Sequence, residues 1–173
     1  MSTSAKTSPH DALAFLTANH KALLAMFRDY EQHKGHATPV EKGKAALRLC
    51  HCLSIHCAIK EEIFHPAIVA ALGKKADAML AEARVQLGVV RELIATIERT
   101  SATDAAFDPT VKVLGEDARR HFESEENELF PLLRHAGFDR AGTGERLATR
   151  QAELSTAPPG KPVFREARRV LGG

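Results

Sequence analysis

The sequence predicts an all-α protein, an antiparallel up-down-up-down four-helix bundle with a short extra C-terminal helix and a flexible tail. Three observations predict this fold. Apolar residues recur at spacings of three and four over four long stretches, as they do along the buried face of a helix. Helix-start signals precede these stretches and glycines follow them. The connections are short, and short connections favour antiparallel neighbours.

The first two helices are marked by the same start signal, a capping hydroxyl followed at once by proline. Ser8-Pro9 begins the first helix, and Gly35 lies beyond its end. Thr38-Pro39 begins the second helix, which we expect to run to about Leu72 because Gly73 is a natural stop.

The remaining helices follow from periodicity and from one further proline. A third helix is predicted over residues 76 to 100, before a polar loop at 100–103. Asp108-Pro109 begins the fourth helix, which ends before Gly137. A short fifth helix is predicted over about 143–154.

The domain organisation is one helical bundle over residues 8–154, followed by a tail over 155–173. This tail contains prolines and glycines and is basic, so we expect it to be flexible and solvated. An anionic docking segment is the alternative interpretation of its charge.

Composition excludes several classes of protein. The chain has 24 basic and 22 acidic residues, a net charge of +2, and this balance argues against nucleic acid as a partner. No apolar run is long enough to span a membrane, so we expect no membrane partner. The first ten residues lack the apolar stretch of a secretory signal. With an odd number of cysteines, three in all, these features predict a cytoplasmic protein.

A weak internal repeat relates the second and fourth helices. In segments 56–66 and 121–131, a histidine lies ten residues before a proline and five residues before a glutamate. The repeat predicts that the same histidine-plus-acid element occurs on both helices.

Three histidines lie on the apolar faces of three separate helices, the faces that we expect to point into the bundle. His20, His56 and His121 each stand seven residues from an apolar core position. Glu125 follows His121 by four residues, so both side chains project from one face. Buried imidazoles and a buried carboxylate need partners, and a shared metal ion would supply them together. Imidazole and carboxylate ligands suit iron, manganese or zinc.

The elements LTANH (16–20), HCAIKEEIFHP (56–66) and HFESEENELFP (121–131) resemble the bacterial hemerythrin-like, or HHE cation-binding, domain. The resemblance covers residues 10–154. It implies a four-helix bundle around a non-haem di-iron centre that binds or responds to oxygen, nitric oxide, peroxide or iron. It also implies metal ligands at His20, His56, His121 and Glu125.

Two positions depart from the pattern of that family. Lys60 stands where the resemblance implies a bridging glutamate, and an ammonium would repel iron ions. Leu87 stands where a histidine is expected on the third helix. Glu61, next to Lys60, is a candidate replacement ligand if the helix is locally distorted. We therefore expect one iron ion rather than two. Lys60 either pairs with Glu125 or extends to water.

Three functions remain open at this stage. The first is an iron-binding protein with an incomplete ligand set, whose partner is a small diatomic ligand or peroxide. The second is a metal-free, degenerate bundle that acts as an interaction or sensory module. The third is an enzyme, but nothing in the sequence identifies a general acid or a substrate pocket. The oligomeric state is not indicated.

Overall fold

The computed structural model describes residues 11–156, and these form an all-helical bundle, as the sequence predicts. The alternation of helix directions stays a prediction. The helices in chain order are α1 (Ala12–His33), α2 (Pro39–Ile59), α3 (His65–Leu72), α4 (Asp77–Arg99), α5 (Phe107–Ser124), α6 (Phe130–His135) and α7 (Arg140–Ser155). Helix α1 packs against α2 and α5, and α4 packs against the same two helices.

The start of α1 corrects one prediction from the sequence. Helix α1 begins at Ala12, and its N-cap is Asp11, whose side chain accepts a hydrogen bond from the Ala14 amide at 2.9 Å. Ser8 and Pro9 themselves lie outside the described residues, but Asp11, which the predicted helix would contain, has an extended backbone and precedes the first helical residue. A carboxylate three residues further on is an equally good cap, so the pattern allowed either start.

The start and the end of the second predicted helix are confirmed. Thr38 and Glu41 form a capping box, in which each side chain accepts from the other residue's backbone amide. The continuous helical rod that begins with α2 and includes α3 ends at Leu72. Gly73 follows it with φ +54°, a conformation that favours glycine.

Two π-helical turns interrupt the rods, at Lys60–Phe64 between α2 and α3 and at Glu125–Leu129 between α5 and α6. Each lies just before a proline, Pro66 or Pro131. Proline donates no backbone hydrogen bond, and its ring clashes with the carbonyl four residues earlier, so a regular helix cannot continue through it. The wider turn relieves this conflict, and such turns are frequent at functional sites.

The buried apolar side chains form two clusters, one toward each end of the bundle. His20 lies between Leu16 of one cluster and Leu23 of the other. His56 lies in the same boundary layer of α2. The polar site therefore occupies the junction between two apolar cores. Far from this junction, Lys42 donates to the Asp108 carboxylate at 3.0 Å and ties α2 to α5.

Helix α7 closes one end of the bundle. It runs from Arg140 to Ser155, three residues longer at its start than the sequence predicts, because Asp139 caps it. It packs against α1, α2 and the first π-helical turn. Apart from Ser155 and Thr156, the predicted tail lies outside the described residues. Within 11–156, no helix is both long enough and apolar enough to cross a membrane.

Candidate metal centre

Three rods bring two imidazoles and one carboxylate to a common point. His20 comes from α1, His56 from α2 and Glu125 from the first position of the second π-helical turn. One ligand atom from each residue lies within 4.8 Å of the others. The residues are 1%, 1% and 6% exposed, so the site is closed to bulk water.

The polar atoms of this group fit a metal ion because they lack other partners. His20 Nε2, both ring nitrogens of His56 and Glu125 Oε2 are buried without a hydrogen bond. Buried polar groups are normally paired, and each orphan calls for an explanation. His20 Nε2 lies 3.4 Å from Glu125 Oε2, so one ion could contact both atoms. Two imidazoles and a carboxylate are donors that iron, zinc and manganese accept.

The orientation of His20 is set by a second carboxylate and by an aromatic ring. His20 Nδ1 lies 2.7 Å from Glu126 Oε1, so its N–H donates to that carboxylate, and in the neutral imidazole this leaves the lone pair on Nε2. The Phe122 ring stacks on the imidazole, with centroids 4.0 Å apart and planes 9° apart. A histidine that binds metal is usually fixed through its other ring nitrogen in this way.

Lys60 lies beside the group and is itself buried, with 1% of its surface exposed. Its Nζ contacts Glu125 Oε1 and lies 2.8 Å from His121 Nε2. The predicted pairing of Lys60 with Glu125 is confirmed, and the alternative of an extended, water-exposed lysine is wrong. The two oxygens of Glu125 therefore have different roles: Oε1 contacts the ammonium, and Oε2 faces His20.

His121 is engaged by Lys60 rather than by the other histidines. An ammonium only donates, so His121 Nε2 accepts its hydrogen bond, and the ring must carry its proton on Nδ1. That N–H donates to Gln86 Oε1 at 2.6 Å. Both ring nitrogens are thus satisfied, and the imidazole is half-buried at the edge of the bundle.

The electrostatics keep the imidazole of His56 neutral and the carboxylate of Glu125 ionised. Burial, followed by the nearby charge of Lys60, holds the pKa of His56 well below 6.5. Burial is the largest single influence on Glu125 and alone would raise its pKa, but the Lys60 ammonium together with the neighbouring His121 and His20 rings outweighs burial, and that pKa lies well below 4.5. Neutral imidazole and ionised carboxylate are the forms that bind metal ions.

Residues 11–133 match the family model described as the Hemerythrin HHE cation binding domain. This chain belongs to that family. The fold is similar to the crystal structure of another HHE cation-binding domain protein, the Rv2633c homolog from Mycobacterium kansasii. The TM-score is 0.68 at 19% sequence identity, over 83% of this chain and 86% of that chain. A comparison with curated proteins gave no significant match.

Two further positions in this HHE domain were singled out from the sequence. Leu87 is 3% exposed and packs in the apolar cluster, as its inward spacing predicts. Glu61 follows Lys60 in the π-helical turn, but its carboxylate contacts the Arg91 guanidinium on α4. The structure therefore brings His20, His56 and Glu125 together and leaves Glu61 outside the group.

Sequence reasoning missed two residues of this HHE site, Glu126 and Gln86. Glu126 was visible as the glutamate five residues after the histidine in the second repeat, but its partner His20 is 106 residues away. Gln86 carried no signal, because an isolated glutamine on a helix is common on any protein surface.

Proposed function

We propose that this HHE domain binds one transition-metal ion, iron, through His20, His56 and Glu125. The observation that supports it is the convergence of their buried, unpartnered ligand atoms within 4.8 Å. Without an ion, the burial of these atoms costs desolvation free energy, and no hydrogen bond from a described residue offsets that cost.

The donor set points to small-molecule binding at the ion. Two histidines and one carboxylate with open positions are typical of mononuclear non-haem Fe(II) sites. An iron ion there would supply an open position for oxygen, nitric oxide or peroxide. The chain's own residues would then orient His20 through Glu126, exclude water with Phe122 and hold Glu125 through Lys60.

One ion is proposed rather than two because Lys60 already fills the neighbouring position. Its ammonium contacts the Glu125 and His121 atoms that a second ion would need. A second divalent ion beside a buried ammonium would be strongly repelled. Leu87 offers no ligand from α4. The cytoplasmic location expected from the sequence belongs to the same proposal.

The test is metal content per chain after expression in iron-replete medium, together with an optical spectrum. We expect about one iron per chain, without the near-ultraviolet absorption of an oxo-bridged iron pair. The variant His56→Ala should lose the iron, whereas His135→Ala, which changes an exposed histidine on α6, should keep it. About two irons per chain would contradict the role given to Lys60.

A metal-free interaction or sensory module is the second candidate function. The observation that favours it is the contact between Lys60 and Glu125, which neutralises the buried carboxylate without any metal. Iron content near zero in both the native chain and His56→Ala would support this second function and refute the first.

A further inference from the structure

A surface groove runs between α1 and α5, apart from the candidate metal centre. Its volume is about 410 Å³, within the range of about 300–1,000 Å³ that is usual for small-molecule sites. It extends from Leu24 to Gln32 on α1 and from Val111 to Arg119 on α5, a length of about 12 Å at 1.5 Å per residue. None of the three candidate metal ligands lines it. The groove therefore has room for a small organic molecule that does not contact the metal centre.

The floor of the groove is apolar. Leu24, Phe27 and Val111 line it, and Phe27 and Val111 belong to the buried core of the bundle. Gly115 contributes no side chain, and a Cβ there would lie only 2.7 Å from the Phe27 ring. The ring therefore lies directly against the α5 backbone, and the apolar floor continues from one helix to the other.

The rim of the groove is charged, and one of its charges has no partner. Three ion pairs balance the other charged rim residues: Glu31 with Lys34, Lys112 with Glu116 and Arg119 with Glu123. Arg28 on α1 is exposed and forms no ion pair or hydrogen bond with any residue in the described range 11–156. One unpaired positive charge thus lies beside an apolar floor.

We propose that this groove binds a medium-chain carboxylate, an unbranched chain of about ten carbons whose head group contacts Arg28. A methylene is about as large as a water molecule, which takes about 30 Å³, so the groove holds on the order of ten carbons and a head group. The apolar floor would cover the chain, and each methylene removed from water favours binding.

The charge of the groove selects the head group. A guanidinium donates two parallel hydrogen bonds to a carboxylate, and one unpaired cation balances one negative charge. A dicarboxylate would leave a second negative charge without a partner, and an alcohol would leave Arg28 unpaired. This ligand class is independent of the proposed metal ion, because no group of the metal centre takes part.

The experiment titrates unbranched carboxylates into the full chain by calorimetry, with and without iron. The probes are the even-numbered acids from hexanoate to tetradecanoate, each below the concentration at which it forms micelles, and 1-decanol is the uncharged probe. The variant is Arg28→Met, which keeps an apolar stem and removes the charge. The control is Arg48→Met, the same change at an exposed arginine on α2 outside the groove.

We expect decanoate to bind at one site per chain and Arg28→Met to raise its Kd about five- to tenfold, because a charge-assisted hydrogen bond is lost at an exposed position. The Kd of 1-decanol should change by less than about twofold, and Arg48→Met should change neither Kd. An unchanged decanoate Kd in Arg28→Met, or an equal rise in Arg48→Met, would overturn the inference. Either result would leave the metal proposal standing, because the titration does not need iron.

The series of chain lengths is a second measurement that needs no variant. Affinity should rise about two- to fourfold with each added methylene up to about ten carbons and then level off, because the groove ends there. A rise that continues through tetradecanoate would indicate apolar contact without a defined site and would overturn the inference.

Sedimentation tests the main competing occupant, a second copy of this chain. A dimer that does not bind decanoate would show that the partner copy covers the groove, and the inference would be wrong. A monomer that binds decanoate at one site would support it.

Discussion

The charge-reversal variant Lys60→Glu should make the stability of the folded protein depend on a bound metal ion. Lys60 and Glu125 form a buried pair of opposite charges, with both residues 6% exposed or less. In Lys60→Glu, two carboxylates would face each other in the same buried space. Breaking a buried pair costs about 3–5 kcal/mol. Since whole domains are stable by about 5–15 kcal/mol, the metal-free variant should lose about a fifth of its stability or more.

Added metal should restore that loss, because one divalent ion neutralises both carboxylates. An ion at about 100 times its Kd contributes about 2.7 kcal/mol to the free energy of unfolding. The change also frees His121 Nε2, which accepts from Lys60 in the native chain. Adding Leu87→His supplies a further imidazole from α4, in the small cavity that Leu87 lines together with His56, Lys60 and His121. We expect this double variant to bind more iron per chain than the native protein.

The assay is guanidinium unfolding with and without Fe(II), combined with metal analysis of each protein. Lys42→Glu is the matched control; it lies on α2, about 27 Å along the same rod from Lys60. It should be destabilised at its pair with Asp108, but iron should not restore it. Metal-free Lys60→Glu as stable as the native chain would refute the electrostatic reasoning. Unchanged iron content in the double variant would show that positions 60 and 87 are not lost ligands.

Three further predictions concern the surroundings of the site. Glu126→Ala should weaken metal binding about 10- to 100-fold without unfolding the chain, since it removes the acceptor that orients His20; a metal titration with equal affinity would contradict this. Asp11→Ala should lower the free energy of unfolding by about 1–2 kcal/mol, because the helix cap and the contact with Arg140 are both lost, whereas Asp11→Asn should keep the cap and lose less. Between pH 7.5 and 5.5 the free energy of unfolding of the metal-free protein should fall by about 1.4 kcal/mol because of His56. Unfolded His56 gains a proton as the pH falls through its pKa of 6.5, whereas the folded residue stays neutral. Urea unfolding of His56→Asn should therefore show a flatter pH dependence.

Much of the fold was readable from the sequence because its signals are local. The capping box of Thr38 and Glu41 and the stop at Gly73 depend on neighbours within a few residues. The inward positions of His20 and His56 follow from spacing along one helix, and both residues are buried as predicted. The start of α1 was misassigned because Ser8 and Asp11 both carry the signal of a cap.

The π-helical turns show where local reasoning falls short. Pro66 and Pro131, at the same place in both repeats, indicate that a regular α-helix cannot continue there. They do not indicate which irregularity results, because a helix can kink, end or widen at a proline. The form matters for the site, since the turns begin at Lys60 and Glu125 themselves.

By itself, the sequence determined the helical rods, the inward-facing positions of the histidines and the presence of lysine, at Lys60, where an acid is expected. Only the tertiary structure decided which groups meet: Glu125 contacts Lys60 on another rod, and Glu126 reaches His20 across 106 residues of chain. The physical reason is that spacing along one helix fixes the face on which a side chain lies. Its partner depends on how the rods pack and turn against each other, and this is a property of the whole core.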